Sequence, residues 1–355
     1  MKIVFIGLTI TSSWGNGHAT TYRGLMREMV ARGHDVLFLE RDVPWYRENR
    51  DLPHPPYGRT ELYTDLHDLQ TRFGDDVTNA DFVLVGSYVP EGVGVGDWVT
   101  LTAQGMTGFY DIDTPVTLAK LQRGDYEYLS PHLIPRYDIY LSFTGGPTLS
   151  VLERDWKSPR ARPLYCAVDP ALYYPETVPD GDNSYDLGYM GTYSVDRQPP
   201  LDALMLEAAR RLPDSRFVVA GPQYPEDIPW PANVSRIEHL PPADHRAFYN
   251  RQRWTLNITR ADMVRAGWSP SVRLFEAMAC GTPVISDVWP GLTELFAEGQ
   301  EILLSRSADE TVEILKNIPD GECQAIGERA RRKVLAAHTA AHRAAELEAY
   351  LSDPV

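Results

Sequence analysis

Apolar and polar residues alternate along the chain in two separate series, and each series has the spacing of strands joined by amphipathic helices. In the first series Leu25, Met26 and Met29 recur at intervals of three and four, which predicts a helix over about 20–32. The strands predicted for this series span 2–8, 35–40, 82–86 and 138–143. Between about 44 and 80 Pro, Tyr and Asp are frequent, so we predict irregular structure there with one short helix.

The second series follows a proline-containing stretch and repeats the same alternation. Its predicted strands span 186–190, 216–220, 234–238, 254–258, 283–286 and 301–304. Its predicted helices span 200–212, 243–251, 270–280, 291–298 and 309–317. Alternating strands and helices are typical of parallel, doubly wound sheets. The predicted fold class is therefore α/β, with two Rossmann-like domains that face an interdomain cleft.

The domain boundaries follow from this pattern. We predict an N-terminal domain over 1–168, a linker over 169–184 and a C-terminal domain over 185–320. A long helix within 321–355 is expected to cross back to the N-terminal domain. Open parallel sheets bind ligands beyond the carboxyl ends of their strands, so the loops that follow strands are the candidate sites.

Composition narrows the class of partner. The formal net charge of −15 argues against a broad surface for DNA, RNA or anionic lipid, and no nucleic-acid partner is expected. The three cysteines are widely spaced, which favours neither a disulfide framework nor a zinc cluster and fits a reducing cytoplasm. No run approaches the roughly 18 apolar residues that a membrane span needs, so no integral membrane segment is expected.

The first strand leads into a loop that contains Gly15, Asn16, Gly17 and His18. A dinucleotide fingerprint begins at the strand end and has a third small residue, and this loop has neither feature. An NAD-dependent oxidoreductase is therefore a secondary alternative, kept open by Glu40 at the end of the second strand.

A histidine at a helix start is a candidate general base, because an imidazole titrates near neutral pH. The alternative is that His18 only braces the loop. A carboxylate partner would come from Asp111 or Asp113, although Asp113 precedes Thr-Pro and also fits an N-cap. Gly145 and Gly146 follow the last strand of the first series and either line the cleft or make a turn.

The helix predicted over 270–280 contains two ionisable residues, Arg273 and Glu276, among apolar side chains. Ser269 is its predicted N-cap, and Gly281 its predicted terminating glycine. An intrahelical ion pair between residues three apart is one explanation. We favour a ligand site, since a helix start with an Arg suits a phosphate and a carboxylate one turn further holds sugar hydroxyls.

Other residues after strands of the second series extend this candidate site. Backbone amides and arginines after strand ends are typical of phosphate sites. The further candidates are Gly191, Thr192, Tyr193, Arg197, Arg260 and Ser271.

Four segments together resemble glycosyltransferases of the GT-B architecture. They are Gly-Asn-Gly-His-Ala at 15–19, Phe-Tyr-Asp-Ile-Asp-Thr-Pro-Val-Thr at 109–117, Tyr-Met-Gly-Thr-Tyr at 189–193, and Pro-Ser-Val-Arg-Leu-Phe-Glu-Ala-Met-Ala-Cys-Gly-Thr-Pro-Val at 270–284. The chain is most similar to the CgeB-type (spore maturation protein) group, with a C-terminal domain like glycosyltransferase families one and four. The resemblance implies a nucleotide-diphosphate sugar as co-substrate in the second domain, an acceptor on the first, and no metal or other cofactor.

Carried onto this chain, the resemblance implies that Glu276 holds the donor ribose and that the turn at 269–273 faces the diphosphate. Many retaining members have a second Glu eight positions earlier, where this chain has Trp268. Inverting members are instead similar at His18, which Asp113 or Asp111 would orient. The chain is therefore expected to invert the anomeric centre.

Two further alternatives accompany this prediction. A sugar-nucleotide epimerase of the same fold would act on the donor without an acceptor. A non-catalytic nucleotide-sugar-binding protein would bind the donor without turnover.

Overall fold

The computed structural model describes residues 1–15, 17–177 and 184–353. The chain divides into two compact units. Unit 1 contains Met1–Ala167 and Ala340–Val355, and unit 2 contains Val168–Thr339. The described part of the predicted linker belongs to unit 2, and the end of the chain belongs to unit 1.

Unit 1 is a doubly wound parallel sheet. Its strands are β1 (Lys2–Gly7), β2 (Asp35–Arg41), β3 (Arg59–Tyr63), β4 (Phe82–Gly86), β5 (Met106–Asp111), β6 (Ile139–Ser142) and β7 (Ala161–Pro163). Its helices up to this point are α1 (His18–Ala31), α2 (Pro44–Arg47), α3 (Leu66–Thr78), α4 (Gly92–Thr102), α5 (Thr114–Gln122) and α6 (Pro147–Arg154). Within the described residues the strand order is β3-β2-β1-β4-β5-β6-β7. The central strands are buried along almost their whole length, as expected when helices cover both faces.

The prediction of irregular structure over 44–80 is wrong for much of that range. Strand β3 pairs in parallel with β2, and α3 packs its buried residues Leu69, Phe73 and Val77 against the core. Asp65 caps this helix, because its side chain accepts the N–H of Asp68 at 2.9 Å. The four-residue spacing and the cap were present in the sequence, but frequent polar residues obscured them.

Unit 2 repeats the architecture. Its strands are β8 (Tyr185–Met190), β9 (Phe217–Ala220), β10 (Val234–Ile237), β11 (Gln252–Asn257), β12 (Val284–Ser286) and β13 (Leu303–Leu304). Its helices are α7 (Gln198–Leu201), α8 (Glu207–Arg211), α9 (Pro242–Asn250), α10 (Ala261–Ala266), α11 (Val272–Ala279), α12 (Leu292–Leu295), α13 (Ala308–Asn317) and α14 (Asp320–Ala337). In the described part of the chain the strand order is β10-β9-β8-β11-β12-β13, and every pairing is parallel.

The single long helix predicted at the end of the chain is wrong. Helix α14 ends at Ala337, and α15 (Ala340–Ser352) follows after a break at 338–339. His338 leaves the helix with its ring stacked on Phe275, and its carbonyl accepts the N–H of Val168 at 3.2 Å. These tertiary contacts hold the backbone out of helical geometry where the sequence alone continues a helical pattern.

Candidate functional site

The first group of candidate residues lies in unit 2, where the adjacent strands β8 and β11 end. The two strands run parallel, with Trp254 opposite Leu187, so the loops after Met190 and Asn257 leave from one edge of the sheet. This is the edge at which open α/β sheets bind ligands.

Helix α11 starts later than the sequence predicts. Its N-cap is Ser271, not Ser269, and the Ser271 hydroxyl donates to Asn257 Oδ1 at 2.8 Å instead of capping the helix. That hydrogen bond holds Ser271 outside the helix in extended geometry. At the other end Gly281 has a left-handed φ of 79°, and its N–H donates to the carbonyl of Met278 at 2.9 Å, so the predicted glycine terminus is present.

Arg273 ties α11 to the ends of the two strands. Its Nε donates to the carbonyl of Met190 at 2.6 Å, and its Nη1 donates to Asn257 Oδ1 at 2.8 Å. The guanidinium also lies over the ring of Tyr189, 4.9 Å from the centroid, and the residue is 7% exposed. Among the described residues no ion pair joins Arg273 to Glu276. The structure therefore does not support the alternative that Arg273 and Glu276 form an intrahelical ion pair.

Gly191 lies directly against this arginine. A Cβ at position 191 would come within 2.6 Å of Tyr189 Oη and 3.1 Å of Arg273 Nη2. Glycine is therefore required for the loop after β8 to pass this close to the buried guanidinium. Gly191 is partly exposed and lies beside a positive charge.

Glu276 has different surroundings from Arg273, although the two residues share a helix. Its Oε2 accepts the hydroxyl of Tyr249 at 3.1 Å and lies 3.9 Å from Nδ1 of His245. The hydroxyl of Tyr173 lies 3.4 Å from Nδ1 of the same histidine. Burial raises the pKa of Glu276, while His245, the two hydroxyls and Arg273 favour its charged form. The Glu276 carboxylate therefore contacts α9, through Tyr249 and His245.

The other candidates after β8 form an ordered loop. Arg197 donates from Nη2 to the carbonyl of Thr192 at 2.6 Å and from Nε to Ser194 Oγ at 2.9 Å. The ring of Tyr193 meets that of Tyr224 edge-on, with centroids 5.6 Å apart. Arg197 therefore braces the loop after β8, in which the N–H groups of Gly191 and Tyr193 donate to the carbonyls of Ala220 and Pro222.

Two candidate positions flank α10. Arg260 is the N-cap residue of that helix and has extended backbone geometry. Trp268 follows it with a left-handed φ of 44°, and its Nε1 donates to Glu294 Oε2 at 2.8 Å. An indole thus fills position 268, and its N–H points to a carboxylate from α12.

The second group of candidates lies in unit 1, at the loop between β1 and α1. Asn16 lies outside the described residues. Gly15, with a φ of 67°, and Gly17, the N-cap of α1, are exposed. His18 is the first residue of α1 and partly exposed, and its ring stacks on that of Tyr88 with centroids 6.2 Å apart and planes 21° apart. The glycines bring the loop to the helix start at which the imidazole is presented.

Asp113 contacts the hydroxyl of the same tyrosine. The hydroxyl of Tyr88 donates to Asp113 Oδ2 at 2.9 Å. Asp113 does occupy the N-cap position of α5, but its side chain makes no capping hydrogen bond. The carboxylate is therefore used toward Tyr88 and not to cap the helix.

Asp111 faces the interior of unit 1. It accepts the hydroxyls of Thr117, at 2.9 Å, and of Tyr140, and it is fully buried. Burial raises its pKa to about 6. The two carboxylates that the sequence offered as partners of His18 thus differ, because only Asp113 contacts the tyrosine that stacks on the imidazole.

Gly145 and Gly146 make the turn into α6. A Cβ at Gly145 would lie 2.0 Å from Tyr165 Oη, and Gly146 has a φ of 58° and a ψ of −144°, which side chains rarely adopt. Of the two predicted roles, the turn is sufficient to explain both glycines.

Glu40 does not have the surroundings of a ribose-binding acid. Its Oε2 accepts the N–H groups of Ile10 at 2.7 Å and Thr11 at 3.0 Å, and its Oε1 accepts the Thr11 hydroxyl at 2.6 Å. The residue is fully buried. Glu40 braces the loop after β1, and the NAD alternative loses its main support.

The sequence reasoning missed three residues that organise these two groups: Tyr88, Tyr249 and Asn257. Asn257 had a usable signal, because it is a polar residue at the end of the apolar run of β11. Tyr88 and Tyr249 had none, since their contacts join segments far apart in sequence.

The described residues contain neither a cluster of metal ligands nor a membrane-spanning helix. No group of three or more His, Cys, Asp or Glu side chains among them is arranged to hold a metal ion. None of the described helices has the length and apolarity that crossing a membrane requires.

Residues 197–349 match a family model described as glycosyl transferase-like. No curated protein sequence matches the chain. The matched segment includes α11 with both of its ionisable residues, Arg273 and Glu276.

Solved structures resemble the chain over its whole length. Sucrose-phosphate synthase from Thermosynechococcus elongatus is 14% identical with a TM-score of 0.72, covering 99% of this chain and 98% of that one. Anabaena HepE in complex with UDP and glucose is 14% identical with a TM-score of 0.73, covering 100% of both chains. An alpha-glucosyltransferase in complex with UDP is 12% identical with a TM-score of 0.72, covering 99% of both chains.

The predicted fold of two Rossmann-like sheets is confirmed, and it is of the GT-B type. The family match over residues 197–349 also confirms the predicted enzyme class, a glycosyltransferase. The finer assignment to a CgeB-type group stays a prediction.

Proposed function

We propose that the protein transfers a sugar from a nucleotide-diphosphate sugar to an acceptor hydroxyl, with the donor bound by unit 2 and His18 of unit 1 as the base. One observation carries the proposal: Arg273 and Glu276 do not pair with each other on buried helix α11. Two buried charges of opposite sign, each held by its own polar groups, suit a ligand that carries both phosphates and hydroxyls.

The diphosphate is assigned to the loop after β8 and the start of α11. The start of α11 presents backbone N–H groups, and the buried Arg273 adds a full positive charge beside Gly191. The absence of a Cβ at position 191 permits close approach of a phosphate. Thr192, Tyr193 and Arg197 complete the loop, and Ser271 and Arg260 lie at the two neighbouring helix starts.

Glu276 is assigned to the ribose hydroxyls. Tyr249 donates to this carboxylate, and the hydroxyls of Tyr249 and Tyr173 favour its charged form, which is the form that accepts hydrogen bonds from sugar hydroxyls. The similar structures that contain UDP or UDP-glucose support a uridine nucleotide and glucose as the first donor to test.

His18 is assigned the proton of the acceptor hydroxyl, and Asp113 orients the imidazole. A partly exposed histidine at a helix start is accessible to an acceptor hydroxyl. Gly15 and Gly17 lie in the chain segment that leads to it. Because position 268 carries no carboxylate, we expect the product anomer to be inverted, which NMR of the product identifies.

Nucleotide binding tests the donor assignment. Isothermal titration of UDP and other nucleoside diphosphates is expected to give an affinity that Glu276→Gln weakens about tenfold, the usual worth of a hydrogen bond to a charged group. Glu313→Gln, at an exposed glutamate on α13 of the same unit, is the matched control and leaves affinity unchanged. Equal affinity of the wild type and Glu276→Gln for every nucleotide would contradict the assignment.

Turnover tests the base. His18→Ala is expected to lower acceptor-dependent release of the nucleoside diphosphate by about 10²–10⁴-fold with nucleotide affinity unchanged. Wild-type turnover in that variant would remove His18 from the mechanism. Conversion of the sugar nucleotide without any acceptor would instead identify an epimerase, and binding without turnover would identify a non-catalytic protein.

A further inference from the structure

Tyr88 lies in the loop between β4 and α4 with an unusual backbone. Its φ is 64°, in the left-handed region that bulky side chains rarely adopt. Such a conformation costs on the order of 1–3 kcal/mol and persists only where the surrounding contacts hold it. The contacts of Tyr88 therefore indicate why the chain keeps a tyrosine there.

Both ends of the Tyr88 side chain are engaged. The hydroxyl donates to Asp113 Oδ2 at 2.9 Å. One neighbour of the ring is His18, stacked at 6.2 Å, and another is Tyr128, tilted at 4.7 Å. A single side chain thus contacts both residues assigned to proton transfer, the carboxylate through its hydroxyl and the imidazole through its ring.

From Tyr128, a series of hydrogen bonds runs into the core of unit 1. The hydroxyl of Tyr128 hydrogen-bonds to Thr117 Oγ1 at 2.8 Å, and Thr117 Oγ1 donates to Asp111 Oδ1 at 2.9 Å. Asp111 is fixed in turn by the hydroxyl of Tyr140. The loop with Tyr88 is therefore anchored to buried groups and does not rest only on surface contacts.

We propose that Tyr88 is a positioning residue that couples Asp113 to His18. This inference rests on the proposed function, in which His18 takes the acceptor proton. The hydroxyl of Tyr88 immobilises one oxygen of Asp113, and its ring fixes the plane of the imidazole. Both groups then keep their orientation when the imidazole becomes charged, and misorientation of reacting groups costs rate steeply.

The reaction balances without any proton exchange by Tyr88. The acceptor hydroxyl gives its proton to His18, and its oxygen bonds to the anomeric carbon of the sugar. The bond from that carbon to the diphosphate breaks, and the electron pair leaves with the nucleoside diphosphate. Burial raises the pKa of the Tyr88 hydroxyl far above its usual range, so it stays a neutral donor throughout.

A double-mutant cycle tests the coupling by kinetics. Tyr88→Phe keeps the ring and removes only the hydroxyl, and we expect kcat to fall about tenfold with the donor KM unchanged. In an Asp113→Asn background the same change is expected to cost less than twofold, because the hydroxyl then has no carboxylate to position. Equal losses in both backgrounds would overturn the proposal.

Titration of the His18 imidazole by NMR gives a readout that needs no substrate. Tyr88→Phe and Asp113→Asn are each expected to lower the pKa of His18, since a held carboxylate favours the charged imidazole, and the double variant is expected to lower it no further. Tyr137→Phe is the matched control, since within the described residues this buried hydroxyl has no hydrogen-bond partner. It should change neither kcat nor the titration.

The two readouts separate failure of the inference from failure of the proposed function. If wild-type protein transfers no sugar from any donor, glycosyl transfer fails, and the NMR cycle alone decides the coupling. If wild-type protein is active but the single variants act additively in both readouts, the function stands and Tyr88 has only a structural role.

Discussion

Asp111 makes the stability of unit 1 depend on pH in the direction opposite to that of a salt-bridged carboxylate. Burial raises its pKa from 3.8 to about 6, so the folded protein binds this proton more tightly than the unfolded chain does. The stabilisation from that proton is fully present below the unfolded pKa. It is lost progressively as the pH rises from 3.8 through about 6.

The size of the effect follows from the difference between the two pKa values. A gap from 3.8 to about 6 corresponds to about 3 kcal/mol of unfolding free energy. Complete burial makes solvent screening small at this site, so the figure needs no large reduction. A change of this size is a substantial part of the stability of an ordinary domain.

Asp111→Asn isolates this contribution, because asparagine has a similar shape and does not titrate. Urea unfolding of both proteins, followed by circular dichroism from pH 4 to 7.5, gives the difference in unfolding free energy at each pH. We expect wild-type stability to fall by about 2–3 kcal/mol relative to the variant over this range, with the steepest change near pH 5 and little further change above about pH 7. A difference that stays constant with pH would refute the reasoning about buried Asp111.

Two further predictions concern packing. Gly191→Ala should lower the free energy of unfolding by about 1–3 kcal/mol, because the new Cβ overpacks against buried neighbours. Gly321→Ala is the control, since a Cβ there meets nothing within 4 Å, and it should leave the free energy of unfolding unchanged or raise it by up to about 1 kcal/mol. Thermal and urea unfolding of both variants measure the two effects. The thiols of Cys166, Cys280 and Cys323 are buried. Burial raises the pKa of Cys323 to about 11 and that of Cys280 further. Ellman's reagent at pH 8 should therefore react slowly with the folded protein, until denaturant exposes all three thiols. Rapid reaction of any thiol in the folded protein would show that its segment opens.

The sequence predicted most of the repeating architecture because strands buried on both faces read as continuous apolar runs. The strands β1, β2, β4, β8 and β9 lie close to their predicted ranges. The range 44–80 was misread, since α3 and β3 carry many polar residues on their solvent sides. The break at 338–339 was missed because it depends on a stacking contact with Phe275, which lies far away along the chain.

For the candidate site, too, the sequence predicted some features and the tertiary structure decided others. Composition and spacing by themselves singled out Arg273 and Glu276, since two charges in an otherwise apolar helix stand out in any reading of the sequence. The sequence left open whether they pair with each other. Only the tertiary structure separated them, because α11 lies between the ends of β8 and β11 on one side and α9 on the other.

In unit 1 the sequence determined that a histidine starts the first helix and that two aspartates end a strand. It did not determine which aspartate is buried. Asp111, at the end of β5, is fully buried, whereas Asp113, in the turn that follows, is partly exposed. Nor did it identify Tyr88, whose role depends on contacts with residues 18, 113 and 128 that folding alone brings together. Local patterns fix the elements, but the partners of a side chain are fixed by where the elements pack.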